Sequence, residues 1–126
     1  MRALKRSLVV LPIAAALTLV GTAAYAFDWS SIGWDEGATS SGSRTFFEND
    51  GEHLYILDNN KDGHSAVSEI NYGSRHLTYW NHSGVDTTRD VNLDIAEGVH
   101  VDYNACYGEY GDLTIVGCGY WVGATS

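Results

Sequence analysis

The chain has 126 residues, with seven Lys and Arg against sixteen Asp and Glu and a formal net charge of −9. Three of the seven bases lie in the first six residues, so everything after residue 26 keeps only Arg44, Lys61, Arg75 and Arg89 against all sixteen acids, a balance of −12. A surface of that sign offers no footprint for phosphate, which argues against nucleic acid as a partner, and an anionic membrane face repels it.

In chain order, Arg2, Lys5 and Arg6 are followed by an apolar run over 7–20 and then by Ala24-Tyr25-Ala26, with small residues at both positions a signal peptidase reads. The run falls short of the ~20 residues of a membrane span and contains Pro12. Residues 1–26 therefore read as a secretory signal peptide, and the expected location is secreted and extracellular. Residues 27–126 have the size of one domain. Cys106 and Cys118 both lie in this exported part, where an even cysteine count implies a disulfide worth roughly 2–3 kcal/mol.

Residues 27–43 (FDWSSIGWDEGATSSGS) show no period, yet hold Phe27, Trp29, Ile32 and Trp34 within eight positions, unlike a flexible linker. From residue 44 to 126 short segments alternate with turn residues at about ten-residue spacing, the all-β signature. The segments are 44–49 (RTFFEN), 53–58 (HLYILD), 65–72 (SAVSEINY), 75–81 (RHLTYWN), 88–95 (TRDVNLDI), 99–106 (VHVDYNAC) and 113–122 (LTIVGCGYWV). Seven antiparallel strands, each with an apolar and a polar face, predict a small antiparallel β-sandwich preceded by an extended N-terminal segment. The cysteines then sit in the last two strands, bridging the terminal hairpin or a neighbouring pair.

The sharpest motif is Asp58-x-Asn60-x-Asp62-Gly63 with Glu69 five residues on, which satisfies the EF-hand loop pattern. Its flanks are strand-like where an EF-hand needs helices. An extended 65–72 also carries Glu69 roughly 20 Å from the loop at ~3.3 Å per residue. The loop reads as a hairpin connection, with calcium on Asp58, Asn60 and Asp62 left as an alternative. No other cofactor is expected. His53, His64, His76, His82 and His100 show no ligand spacing on one element, and no nucleophile elbow is present, so no catalytic residues are assigned. Asn81-His82-Ser83 is a formal glycosylation sequon placed in a turn.

Aromatic residues say more. Tyr79-Trp80 and Tyr120-Trp121 are adjacent within predicted strands, so one ring of each pair points to the core and the other outward. Trp80 and Trp121 are candidate sugar-stacking platforms, and carbohydrate is the alternative partner. Phe27, Trp29, Ile32 and Trp34 need cover: either the segment lies along its own sandwich, or it docks in a cleft on another secreted protein.

The segments DGEHLYILDNNKDGHSAV, YWNHSG, NLDIAEG and GEYGDLTIVGCGYW, behind a cationic signal, resemble a set of small exported actinobacterial β-sandwich proteins. In size and layout the chain is similar to the adaptor subunits of secreted umbrella toxin particles. The resemblance implies a non-enzymatic adaptor that bridges a lectin-bearing subunit to a large toxin polypeptide. It assigns docking to Phe27, Trp29, Ile32 and Trp34 and a second contact to the sandwich.

Overall fold

A computed structural model describes residues 27–33 and 35–126. The expected signal peptide, 1–26, and Trp34 lie outside the described residues. The described part opens on a 3-10 turn, Trp29–Ser31, capped by Asp28, whose carboxylate accepts from the Ser30 hydroxyl at 2.6 Å and the Ser30 N–H at 3.0 Å. Those two bonds hold the Asp28 carboxyl below its usual range.

Ten strands come next: β1 Ala38–Thr39, β2 Ser43–Glu48, β3 His53–Asp58, β4 Ser65–Tyr72, β5 Arg75–Asn81, β6 Thr88–Asn92, β7 His100–Tyr103, β8 Cys106–Glu109, β9 Thr114–Cys118 and β10 Val122–Thr125. They form two antiparallel sheets. Sheet A has the order β1-β2-β3-β6. In sheet B, β4 pairs with β5 on one side and with β8 and β7 on the other, while β9 flanks β8 and β10 flanks β7. The β4–β5 hairpin closes through Gly73-Ser74, where Gly73 takes the left-handed φ of 58° that a two-residue turn favours.

The alternation decides which side chains meet. Phe47, Leu54 and Ile56 from sheet A face Ala66, Ile70, Tyr72, Val101 and Tyr103 from sheet B, with Phe47 and Tyr103 in ring contact at 6.3 Å. Val91, Leu93 and Ile95 close one side. Each such large apolar side chain is worth about 1.5–3 kcal/mol when fully buried. An acidic chain keeps a core because its strand carboxylates, Asp58 at the end of β3 excepted, occupy the other parity.

The all-β sandwich and the Cys106–Cys118 disulfide are as the sequence reads, but the last two predicted strands are each interrupted. Segment 99–106 breaks at Asn104-Ala105, although β7 and β8 keep one register against β4: Ile70 opposes Tyr103, and Val67 opposes Cys106. Asn104 fills the gap. Its side chain accepts from the Glu69 N–H at 2.8 Å and donates to Glu69 Oε1 at 2.8 Å, and its own N–H donates to the Glu69 carbonyl at 3.1 Å. The Ser68 hydroxyl satisfies the Asn104 carbonyl at 2.7 Å. Buried backbone groups need partners wherever a ladder lapses, and here one amide supplies them.

The neighbouring strand lapses at the same height. Cys106 opposes Cys118 and Tyr103 opposes Val122, so two residues, Asn104 and Ala105, face three, Gly119 to Trp121. The surplus residue makes a bulge, which bends a strand and re-aims its side chains. Gly119 N–H still reaches the Ala105 carbonyl at 2.9 Å, and Gly119 passes so close to β1 that a Cβ there would lie 1.7 Å from the Thr39 carbonyl oxygen. This overturns one expectation. Tyr120 and Trp121 do not divide between core and solvent; both are exposed, Tyr120 at 93 % and Trp121 at 47 %.

Candidate functional site

Three surfaces gather the residues singled out by the sequence. The first is the outer face of sheet A, where Arg44 and Phe46 on β2 and Tyr55 and Leu57 on β3 point away from the core. The leading segment lies here. The Phe27 ring stacks on Tyr55 at 4.2 Å and on Phe46 at 5.7 Å, with Trp29 edge-on at 4.9 Å. Trp29 Nε1 donates to Thr88 Oγ1 at 2.9 Å. The Arg44 guanidinium, 5.2 Å from the Trp29 ring, donates to the Gly33 carbonyl and, at 3.5 Å, to the Glu36 carbonyl. Burial, followed by the Asp90 and Glu48 carboxylates, raises the Tyr55 hydroxyl above its ordinary pKa.

Phe27, Trp29 and Ile32 are thus half-buried against their own sandwich. Each keeps part of its surface in solvent, and cavities of about 400 and 420 Å³ open on either side of Trp29.

The second surface is the β3–β4 loop. Asp58, Asn60 and Asp62 line a cavity of about 360 Å³ with His64, His82 and Val85. The two carboxylates already serve the loop: Asp58 Oδ1 accepts from Asn60 N–H at 3.3 Å, and Asp62 Oδ1 accepts from His64 N–H at 2.9 Å. These are Asx turns. Burial pushes the Asp58 carboxyl up, the Asn60 N–H partly opposes this, and the Asp62 and Asp86 charges add to it. Glu69 is elsewhere, on the outer face of sheet B with Asn104.

Four of the five histidines find single carboxylate partners: His53 with Asp90 at 2.7 Å, His64 with Glu109 at 3.0 Å, His76 with Glu69 at 3.5 Å and His100 with Asp102 at 3.0 Å. Among the described residues, one trio of metal-type ligand atoms converges, Glu69 with Cys106 and Cys118. Its two sulfurs are bonded to each other.

The third surface joins the outer face of sheet B to its β9–β10 edge. Trp80 opposes Val67 on β4, whose other neighbour is Cys106, so the indole stands on the same face as the disulfide. Tyr110 meets Trp80 edge-on at 5.8 Å, and His82 lies flat on Tyr110 at 3.9 Å. With Ser83 and Arg89 these rings line an open cleft of about 500 Å³. Asn81 anchors its floor. It is 2 % exposed, both of its amide N–H groups are donated, to the Ile56 and Thr87 carbonyls, and its Oδ1 accepts from Ser83 N–H and Thr87 Oγ1. The sequon amide is therefore fully engaged inside the protein.

Sequence pattern does not mark Tyr110 and His82 as site residues. They stand 28 positions apart on different connections, and no local signal joins them. Along the edge beyond Tyr110, Leu113, Val116, Tyr120 and Trp121 are exposed. No protein-family model matches the chain, and no curated protein or solved structure is detectably similar to it. No helix among the described residues is long and apolar enough to cross a membrane.

Proposed function

We propose that this protein is an exported, non-catalytic protein-binding adaptor that presents the bulged edge of sheet B to a partner polypeptide. One observation carries the reading. Among the described residues, five of the six exposed large apolar side chains lie between residues 110 and 121, and the sixth is Val85. Soluble chains rarely gather apolar surface on one short stretch without a partner to cover it. The same stretch is an edge strand whose bulge throws two aromatic rings outward, and aromatic anchors dominate protein interfaces.

The cationic leader and the disulfide support export. The leading segment serves as a second contact through the outward sides of Phe27, Trp29 and Ile32, together with Trp34. Two contact regions on one small body suit a bridge between subunits of an extracellular toxin particle. The net charge selects neutral or basic partner surfaces.

The test is affinity purification of tagged protein from culture supernatant beside a Tyr120→Ser/Trp121→Ser variant. The variant is expected to fold, by an unchanged thermal midpoint, and to lose a stoichiometric partner that the parent captures. Equal capture by both would overturn the edge as the contact.

A further inference from the structure

We infer that the cleft between the rims of the two sheets, walled by Trp80, Tyr110, His82, Ser83 and Arg89, binds a neutral oligosaccharide. Tyr110 borders both surfaces, but Tyr120 and Trp121, the residues changed in the protein-binding test, do not line this cleft, so the two readings are tested separately.

The cleft has the size and make-up of a ligand site. At about 500 Å³ it falls within the range of small-molecule pockets, and aromatic rings stand beside polar groups on its walls. Trp80 and Tyr110 meet edge-on, and His82 extends the platform by lying flat on Tyr110. Pyranose rings present an apolar C–H face that packs on such surfaces, and their hydroxyls need donors and acceptors close by. Ser83 and His82 offer both. Arg89 offers donors: its Nη1 donates to the Trp80 carbonyl at 2.7 Å and its guanidinium lies 5.5 Å from the Tyr79 ring, so the group is fixed in place. Among the described residues Arg89 has no carboxylate partner.

The walls are also held before any ligand arrives. The four hydrogen bonds of Asn81 tie β5 to Ile56 on β3 and to the loop carrying Ser83 and Thr87, so little ordering remains to oppose binding. Neutrality follows from charge. Against a balance of −12, one guanidinium does not draw in a polyanion, whereas hydroxyl groups are indifferent to that field.

The experiment uses the mature chain with insoluble chitin, cellulose and xylan as probes, then titration calorimetry with the soluble tetrasaccharide of whichever is retained. Retention on at least one probe is expected, with an affinity that changes less than twofold between low salt and 0.5 M NaCl. Tyr110→Ala and Ser83→Ala, both surface changes, should each weaken binding at least tenfold at an unchanged thermal midpoint; Trp80→Ala should do the same, with its fold checked by circular dichroism. Trp121→Ala should bind like the parent. Three results would overturn the inference: no retention on any probe, release by salt, or loss of binding with Trp121→Ala while Tyr110→Ala still binds.

Discussion

Phe27 lies almost parallel to Tyr55 with ring centroids 4.2 Å apart, so the first described residue of the chain is stacked on the middle of β3. The outer face of sheet A is apolar at Phe46, Tyr55 and Leu57, and the leading segment is what covers it. Phe27→Ser should cost about 1–3 kcal/mol, read as a lower urea midpoint, because it removes half-buried apolar area and two stacked pairs. Unchanged stability would mean that the ring rests there without holding anything.

Asn104 carries the lapse in the pairing of β4. Asn104→Ala leaves the Glu69 N–H and carboxylate without this partner and should lower stability by about 2–3 kcal/mol in urea unfolding. Asn104→Asp keeps an acceptor for the N–H but sets a second carboxylate against Glu69. Its deficit should therefore widen as pH rises above the ordinary carboxylate range near ~4. A deficit independent of pH would show that the Glu69 contact contributes nothing.

Gly119 is required by the close approach of this segment to β1. A methyl group there meets the Thr39 carbonyl, so Gly119→Ala should shift β1 or the bulge and cost at least about 1–3 kcal/mol in thermal or urea melts. Gly111→Ala is the control: a Cβ at that position meets nothing within 4 Å, and the stability should stay within about 0.5 kcal/mol of the parent. Similar losses in both would point to glycine content as such and away from the close approach at Thr39.

Burial, opposed in part by the Asn60 N–H and reinforced by Asp62 and Asp86, raises the Asp58 carboxyl above its ordinary range. The folded protein thus holds this proton more tightly than the unfolded chain. The resulting stabilisation is fully present below the unfolded value and is lost as pH rises through the folded one. Asp58→Asn should accordingly melt higher at neutral pH and show a flatter pH profile in differential scanning calorimetry. A variant that melts lower at neutral pH would show that the ionised carboxylate has a use in the fold, as it would in holding a cation.

The hairpins β2–β3 and β4–β5 were legible because their information is local: alternating side chains on either side of Asp50-Gly51 and Gly73-Ser74 fix strand, face and register together. The disulfide was legible from the cysteine number and the signal-like leader that made export the expectation. What could not be read depends on distant residues. The break at Asn104 is set by Ser68 and Glu69 some 35 positions earlier, and the outward turn of Tyr120 and Trp121 by a three-against-two mismatch that no single strand displays. The cleft of Trp80, His82 and Tyr110 likewise exists only once β5 and the turn after β8 meet.

The placement of β4 has a consequence for the order in which the sheet can assemble. One side of this strand is completed at once by β5, but the other waits for residues 101–108, so sheet B stays unzipped until most of the chain has been made. The β8–β9 hairpin belongs to that late-made part and carries the Cys106–Cys118 disulfide, so the covalent seal falls on the pairing that is supplied last.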